Sequence, residues 1–414
     1  MFNYNSTILW LSNCMEQLLV HCATAIEQND VALSQQLLCT LIDLASPDGD
    51  SDQRLTFAFL RALIIRAVKS GSADELLTSA FVRRLPISNH RFNAIELAGY
   101  LDMTPWHRFG FTASNAAVVD AIEGFTSVHI VDLSLTHCMQ LPTLLDAISS
   151  KFEFPPIIKI TVASPQEGLP PLLDRSYDEL GHKIVNFGRS KNLIVDFAVI
   201  PSSFTDGFSN LVNHLSEQRG AYGSGEALIV NCQMSLHYIP FDSLLLSSPT
   251  HSAFFPCSDS YRSSFLKSIR SLNPTIVVII EEDADLTSYD LACRLRSAYN
   301  FLWIQYDTVD TFLPKGTKQR EWYDADMSWK IENVIANEGL QRVELIEPRS
   351  RWVQRMMDAG FTGVAFKEDA VSEIKNMLEE HASGWGIKKE DDDLVLTWKG
   401  NNAVFASAWM PRYW

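Results

Sequence analysis

The part of the sequence best furnished for chemistry is one short segment, Asp132-Leu133-Ser134-Leu135-Thr136-His137-Cys138. Asp132 closes the apolar run Val128-His129-Ile130-Val131, which reads as a strand. An open α/β sheet presents ligands and catalytic acids at such a strand end. The alternative is an aspartate that caps the following turn, and this is the preferred reading. His137 beside Cys138 has the chemistry of two metal ligands, but no second pair follows at zinc spacing, so no metal is expected. His129, mid-strand between apolar neighbours, reads as a buried histidine with its hydrogen bonds met. Gly223-Ser224-Gly225 precedes a strand instead of following one, so it is a loop and not a nucleophile elbow. HExxH, Walker and EF-hand patterns do not occur.

A nucleotide or S-adenosylmethionine site in the turn after Asp132 would need glycines, which let the backbone approach the ligand. The turn has none, and Leu135 and His137 would fill the space. The next strand ends Ala163-Ser164-Pro165 and offers no carboxylate for ribose hydroxyls, although Glu167 is close. An S-adenosylmethionine-dependent methyltransferase is therefore the alternative reading, with the right topology and the wrong site. No catalytic residue and no cofactor is expected.

The elements that hold this segment follow from periodicity. The first hundred residues are helical: Leu18, Leu19, Cys22, Ala25 and Ile26 share one helix face, and Leu37, Leu38, Leu41, Ile42 and Ala45 share another. Pro47-Asp48-Gly49-Asp50 is a turn, after which Ser51 is placed to cap a third helix. Beyond residue 112 strands and helices alternate. A helix near Asn115 to Glu123 stops at Gly124, and Pro142 opens another over Leu141 to Ile148. Strands are expected at Ile157 to Val162, Leu193 to Ile200, Ala227 to Asn231 and Thr275 to Ile280, with a helix at Phe265 to Leu272. This predicts an open, largely parallel, doubly wound sheet. The stretch 283–345 is mixed and charged, with one helix near Tyr289 to Tyr299. A helix through Trp352 and Met356, a strand from Phe361 to Phe366 and a helix through Ile374 precede a C-terminal hairpin, Leu394 to Trp398 and Ala403 to Trp409. The acidic run Glu390 to Asp393 reads as a solvated loop.

Composition sets limits on function. The chain has 414 residues, with Lys+Arg 34 against Asp+Glu 50 and a net charge of −16. That balance favours protein partners over extensive phosphate contact. Zinc-finger spacing, a basic zipper and RNP-like aromatics do not occur. Arg61, Arg66, Lys69, Arg83, Arg84, Arg91 and Arg108 make the first third less acidic, and they either line one basic groove or form a solvated face. Seven cysteines without a CxxC pattern read as reduced thiols. No basic region precedes the short apolar run Ile8 to Leu11 and no span reaches about 18 apolar residues, so a signal peptide and a membrane anchor are not expected. The Leu-x-x-Leu-Leu patterns at Leu141–Leu145 and Leu169–Leu173 read as core, and the Met15-Glu16-Gln17-Leu18-Leu19 helix as the better partner-docking segment.

Taken together, these motifs resemble the GRAS family of plant transcriptional regulators, in its Scarecrow-like branch. Val128-His129-Ile130-Val131-Asp132 is similar to the family's VHIID motif and continues through Gln140 and Pro142. It departs at Cys138, where a glycine is usual, and at Leu141, where a tryptophan is usual. The resemblance divides the chain into a short variable N-terminus (1–14), a helical cap with the first leucine-rich region (15–110), a VHIID region (111–175), a second leucine-rich region (176–240), a PFYRE region with a cap insertion (241–345) and a SAW region (346–411). Leu272-Asn273-Pro274, then Asn333, Glu338-Gly339, Arg342 and Glu344, carry the PFYRE match; Trp352, Trp385-Gly386, Trp398 and Trp409 carry the SAW match.

The resemblance implies a Rossmann-like, methyltransferase-like sheet under an α-helical cap. It also implies a nuclear transcription factor or co-regulator in plant development. Such a protein works through homo- or heterodimers with other GRAS proteins and through DNA-binding transcription factors such as zinc-finger proteins, with DNA contacted directly or through the partner. On this reading Leu18, Leu19, Leu37, Leu38 and Leu41 are the candidate partner-binding residues. Arg61, Arg66, Arg83 and Arg84 are the candidate DNA-binding residues. Trp385, Trp398 and Trp409 are structural, the latter two buried between hairpin and sheet.

Overall fold

The computed structural model describes residues 4–72, 90–165, 168–222, 225–241 and 260–413. Arg83, Arg84, Glu167, Gly223, Ser224 and Cys257 lie outside the described residues. The chain forms two compact units, one from Met1–His90 with Ala284–Ile346, the other from Arg91–Asp283 with Glu347–Trp414.

The first unit opens with α1 (Tyr4–Glu27), α2 (Val31–Leu44) and α3 (Ser51–Lys69). Helix α1 begins at Tyr4, well before Met15, so the segment 1–14 is mostly helix. Asp30 starts α2 by accepting the Leu33 N–H at 3.0 Å. The cap of α3 is Asp50, one residue ahead of Ser51. Its Oδ1 accepts the Gln53 N–H at 2.9 Å, and Gln53 Oε1 accepts the Asp50 N–H at 3.2 Å. This reciprocal pair satisfies two of the donors that a helix start leaves open. Helix α3 is buried nearly all round, Arg54 and Arg61 included.

The chain then builds the sheet unit: β1 (Arg91–Phe92), α4 (Ala94–Leu101), α5 (Pro105–Ala121), β2 (Ser127–Asp132), α6 (Leu141–Lys151), β3 (Ile157–Pro165) and β4 (Leu172–Leu173). After them come α7 (Tyr177–Ser190), β5 (Val195–Ser202), α8 (Ser209–Tyr222), β6 (Ala227–Gln233), α9 (Tyr261–Ser271) and β7 (Ile276–Glu282). It returns to the helical unit with α10 (Leu291–Phe312) and α11 (Lys318–Ala336). It finishes in the sheet unit with α12 (Arg349–Asp358), β8 (Phe361–Val364), α13 (Glu368–Glu379), β9 (Trp385–Glu390), β10 (Asp393–Trp398) and β11 (Asn401–Pro411).

The main sheet has the order β5-β3-β2-β6-β7-β11-β10-β9, with β8 paired to β11. Strands β5, β3, β2, β6 and β7 run parallel, and β11 runs antiparallel to β7. The order reverses between β2 and β6, the switch point at which an open α/β sheet normally binds its ligand. Strands β6 and β7 are buried at every residue, as their continuous apolar sequences require for a sheet covered on both faces. Thr104 and Pro105 start α5, which lies so close to β7 that a Cβ on Gly110 would meet Ile280 Cγ2 at 2.7 Å. The fold is thus doubly wound and Rossmann-like.

Three expectations change. The C-terminal hairpin does not pack on the sheet; β10 and β11 are strands of it, through the β11–β7 ladder. The acidic run is a solvated turn only at Asp391 and Asp392: Glu390 ends β9, Asp393 begins β10 and is buried, and Arg349 Nη1 donates to Asp393 Oδ2 at 2.8 Å. Helix α11 replaces what read as mixed sequence. Its buried side includes Arg320, Lys330 and Asn333, so its apolar periodicity is weak.

Candidate functional site

The register between β2 and β6 sets Asp132 opposite Asn231 at the switch point. Asn231 Nδ2 donates to Asp132 Oδ1 at 3.0 Å and to Gln140 Oε1 at 2.8 Å. Gln233 Nε2 also donates to Gln140 Oε1. Ser114 Oγ, carried in by α5, donates to Asn231 Oδ1 at 2.7 Å. The remaining Asp132 capacity turns back on its own chain, taking the Ser134 N–H at 3.2 Å and the Ser134 hydroxyl at 3.0 Å. Asp132 therefore caps the turn, and the polar atoms of the crevice satisfy one another. Burial pushes the Asp132 carboxyl up, against the pull of its Asn231 and Ser134 hydrogen bonds.

This crevice does not fit a nucleoside cofactor. Leu133, Leu135 and Cys138 are buried in the turn, and Gln140 bridges to β6 across it. His137 and Cys138 adopt left-handed backbone, with φ of 49° and 64°. A glycine would adopt the second conformation without steric cost. The two side chains do not act together: His137 Nε2 is bonded to the Pro171 carbonyl at 2.7 Å, and burial keeps Cys138 a thiol. His129 Nε2 meets the Thr161 hydroxyl at 2.8 Å, and burial, reinforced by Lys159, lowers its pKa to about 3. It is a neutral core histidine. Among the described residues no group of three His, Cys, Asp or Glu side chains is arranged to hold a metal.

A second buried cluster lies beside β7. Glu281 Oε1 accepts the Ser235 and Leu236 N–H groups at 3.0 and 2.8 Å, and its Oε2 is 2.6 Å from His237 Nδ1. Arg262, fully buried, donates to the His237 and Ile239 carbonyls and to Glu347 Oε2 at 2.8 Å. Arg355 grips both Glu347 oxygens at 2.9 Å. Burial lowers Arg262 to about 10, with Glu347 opposing, so it stays charged. Arg262 thus ties Glu347, at the start of the C-terminal segment, to the chain at His237 and Ile239. Sequence reasoning missed Arg262 and Glu347, because a buried arginine looks the same in sequence as a surface one.

The candidate binding residues of the helical unit are placed differently from expectation. Leu19, Leu38 and Leu41 are fully buried, whereas Leu18 and Leu37 are half-buried. The apolar side chains that α2 exposes are Val31, Leu33 and Leu44. Arg61 is 2% exposed and paired with Glu332 at 2.8 Å, so it is unavailable to a phosphate backbone. Arg66 is paired with Glu338 at 3.1 Å. Glu338 is also held by Arg294, while Asn333 Oδ1 accepts the Val343 and Glu344 N–H groups at 2.9 and 2.8 Å. Asn333 and Glu338 thus hold the unit's own chain in place. Trp398 and Trp409 are buried and Trp385 is half-buried, its ring 5.0 Å from that of Trp398.

A doubly wound sheet whose crevice is bridged by its own amides, in a chain that also forms a helical unit, defines a Rossmann-like α/β protein. The chain belongs to the GRAS domain family, whose model matches residues 15–410. It is 53% identical to Scarecrow-like protein 32 of Arabidopsis thaliana over 97% of this chain and 94% of that protein. It is 26% identical to Protein SHORT-ROOT of Arabidopsis thaliana over 99% of this chain and 75% of that one. The fold is shared with the crystal structure of SCL7 from Oryza sativa, at a TM-score of 0.74, 20% identity, and coverage of 95% of this chain and 99% of that one.

Proposed function

We propose that the protein is a nuclear transcription factor or co-regulator in plant development, acting through protein–protein complexes and not as an enzyme. The observation that carries this reading is the GRAS match along nearly the whole chain, with a Scarecrow-like relative 53% identical. The closed crevice supports it, since Asp132, Asn231, Gln140 and Gln233 leave the sheet's usual ligand position occupied by side chains. Partners are other GRAS proteins, as homo- or heterodimers, and DNA-binding transcription factors such as zinc-finger proteins. The net charge of −16 and the internal pairing of Arg61 and Arg66 favour reading DNA through such a partner. No described helix is long and apolar enough to cross a membrane.

Fluorescence anisotropy with duplex DNA across a salt series tests the division of labour. Weak or absent binding at low salt is expected. Tight binding that falls steeply with salt would show phosphate contact and make the protein a direct reader. Exclusion of a fluorescent fusion from the nucleus would overturn the regulatory reading. The methyltransferase alternative rests on the sheet order and is tested by thermal shift. A bound cofactor at about 100 times its Kd adds roughly 2.7 kcal/mol of apparent stability, and no shift with millimolar S-adenosylmethionine is expected.

A further inference from the structure

The helical unit contains a cavity of about 430 Å³, bordered by the turn at Pro47-Asp48-Gly49, by α3 and by α11. That volume lies in the range of small-molecule sites, roughly 300–1,000 Å³. Its walls combine aromatic surface with charge of both signs, the carboxylates being Asp48, Glu321 and Asp324. Phe57, Ala58, Tyr306 and Trp322 supply apolar and aromatic surface, while Arg54, Arg61, Arg320 and Lys315 supply cations.

Arg54 is 3% exposed and only partly satisfied. Its Nη1 donates to Asp310 Oδ1 at 2.9 Å. Its Nη2 lies 3.4 Å from Asp324 without forming a hydrogen bond, and its Nε makes none either. Arg61 Nε touches Glu332 at 2.8 Å, again without hydrogen-bond geometry. A buried guanidinium with free N–H groups calls for an acceptor, because each unmet donor costs about 1–3 kcal/mol. Its fork best matches a carboxylate, which can take two parallel bonds.

We propose that this cavity binds a small aromatic carboxylate, its ring between Phe57, Tyr306 and Trp322 and its carboxylate on the Arg54 guanidinium. The occupant would replace Asp324, whose carboxyl burial already pushes up to about 6, as the second partner of Arg54. A ligand so placed ties α3 to α11 and adds to the stability of the helical unit by mass action. The inference reaches beyond the regulatory reading, and neither depends on the other.

The test is calorimetric titration of the whole chain with 2-naphthoate and, as the neutral counterpart, 2-naphthalenemethanol. Saturable one-to-one binding of the carboxylate is expected, with the alcohol at least about tenfold weaker, the factor equivalent to about 1.4 kcal/mol. Arg54→Gln should lose the preference for the carboxylate. Ala325 lines the cavity and is partly exposed, so Ala325→Phe fills the space with little demand on the fold and should abolish binding of both compounds. Circular dichroism verifies that each variant is folded. No heat with millimolar 2-naphthoate, equal affinity for the alcohol, or unchanged binding to folded Ala325→Phe would each overturn the proposal.

Discussion

Asp132 and Asn231 face each other across the β2–β6 ladder, and the amide of Asn231 joins the carboxylate to Gln140. One amide therefore serves two acceptors on two different segments. Asn231→Leu removes one of the two bonds that each acceptor holds and leaves the Ser114 hydroxyl without its acceptor, and should cost about 1–3 kcal/mol, read by urea unfolding. Asn231→Asp is the sharper experiment. It sets two carboxyls opposite one another in a buried crevice, so one of them stays protonated in the folded state. Its folded pKa lies above its unfolded value, and the deficit against the parent protein should widen as pH rises from about 5 to 7. A deficit independent of pH would falsify the contact.

His129 gives a second dependence on pH, with the opposite sign. Burial, with Lys159 next, lowers its pKa to about 3 from 6.5. The unfolded chain takes up a proton below the ordinary value and the native state does not. Its contribution is therefore complete above about pH 6.5 and is lost as pH falls from there towards 3. His129→Gln removes this titration. The parent should be the more stable at pH 8 by differential scanning calorimetry, and the gap should narrow steadily towards pH 4. A constant gap would show that another group titrates.

Much of this was legible in the sequence, for physical reasons that also mark where legibility ended. Strand β7 is apolar at successive positions and could only be a covered strand, and the Asp132 turn lacked the glycines that a cofactor demands. Helix α11 was not legible because it buries Arg320, Lys330 and Asn333, so no apolar stripe announces it. The partners of Arg61, Arg262 and Asp393 were invisible for a related reason. A charged residue is scored as solvated until a counter-charge distant in sequence is folded against it, as Glu347 is against Arg262 across 85 positions. The crevice was half legible: Gln140 carried the family match, but its bonds to Asn231 and Gln233 depend on strand register.

Trp398 anchors the C-terminal strands. A Cβ on Gly384 would lie 2.4 Å from its ring, so backbone and indole are in direct contact there. Trp398→Ala should cost about 3–5 kcal/mol. Gly384→Ala should destabilise by overpacking, about 1–3 kcal/mol. The two effects should not add in the double mutant, because the alanine methyl then enters the space the indole has left. Denaturant melts of the four proteins decide this, and strict additivity would place the strain elsewhere.

The proposed partner role of the leucine-rich helices can be tested apart from their folding role. Leu38 and Leu41 are fully buried, so Leu38→Ala and Leu41→Ala should each cost about 2–5 kcal/mol and lower partner binding only by unfolding the helical unit. Val31, Leu33 and Leu44 are exposed on the same helix at 38, 42 and 37%. Replacing these three by serine should change stability by about 0.5 kcal/mol or less per site. If α2 contributes to a dimer, the triple variant should shift the protein to monomer in light scattering while its melting temperature holds. The leucine pair should behave in reverse, losing melting temperature first and association only as a consequence. A triple variant that dimerises like the parent would move the interface off α2, and the half-buried Leu18 and Leu37 would be the next positions to replace.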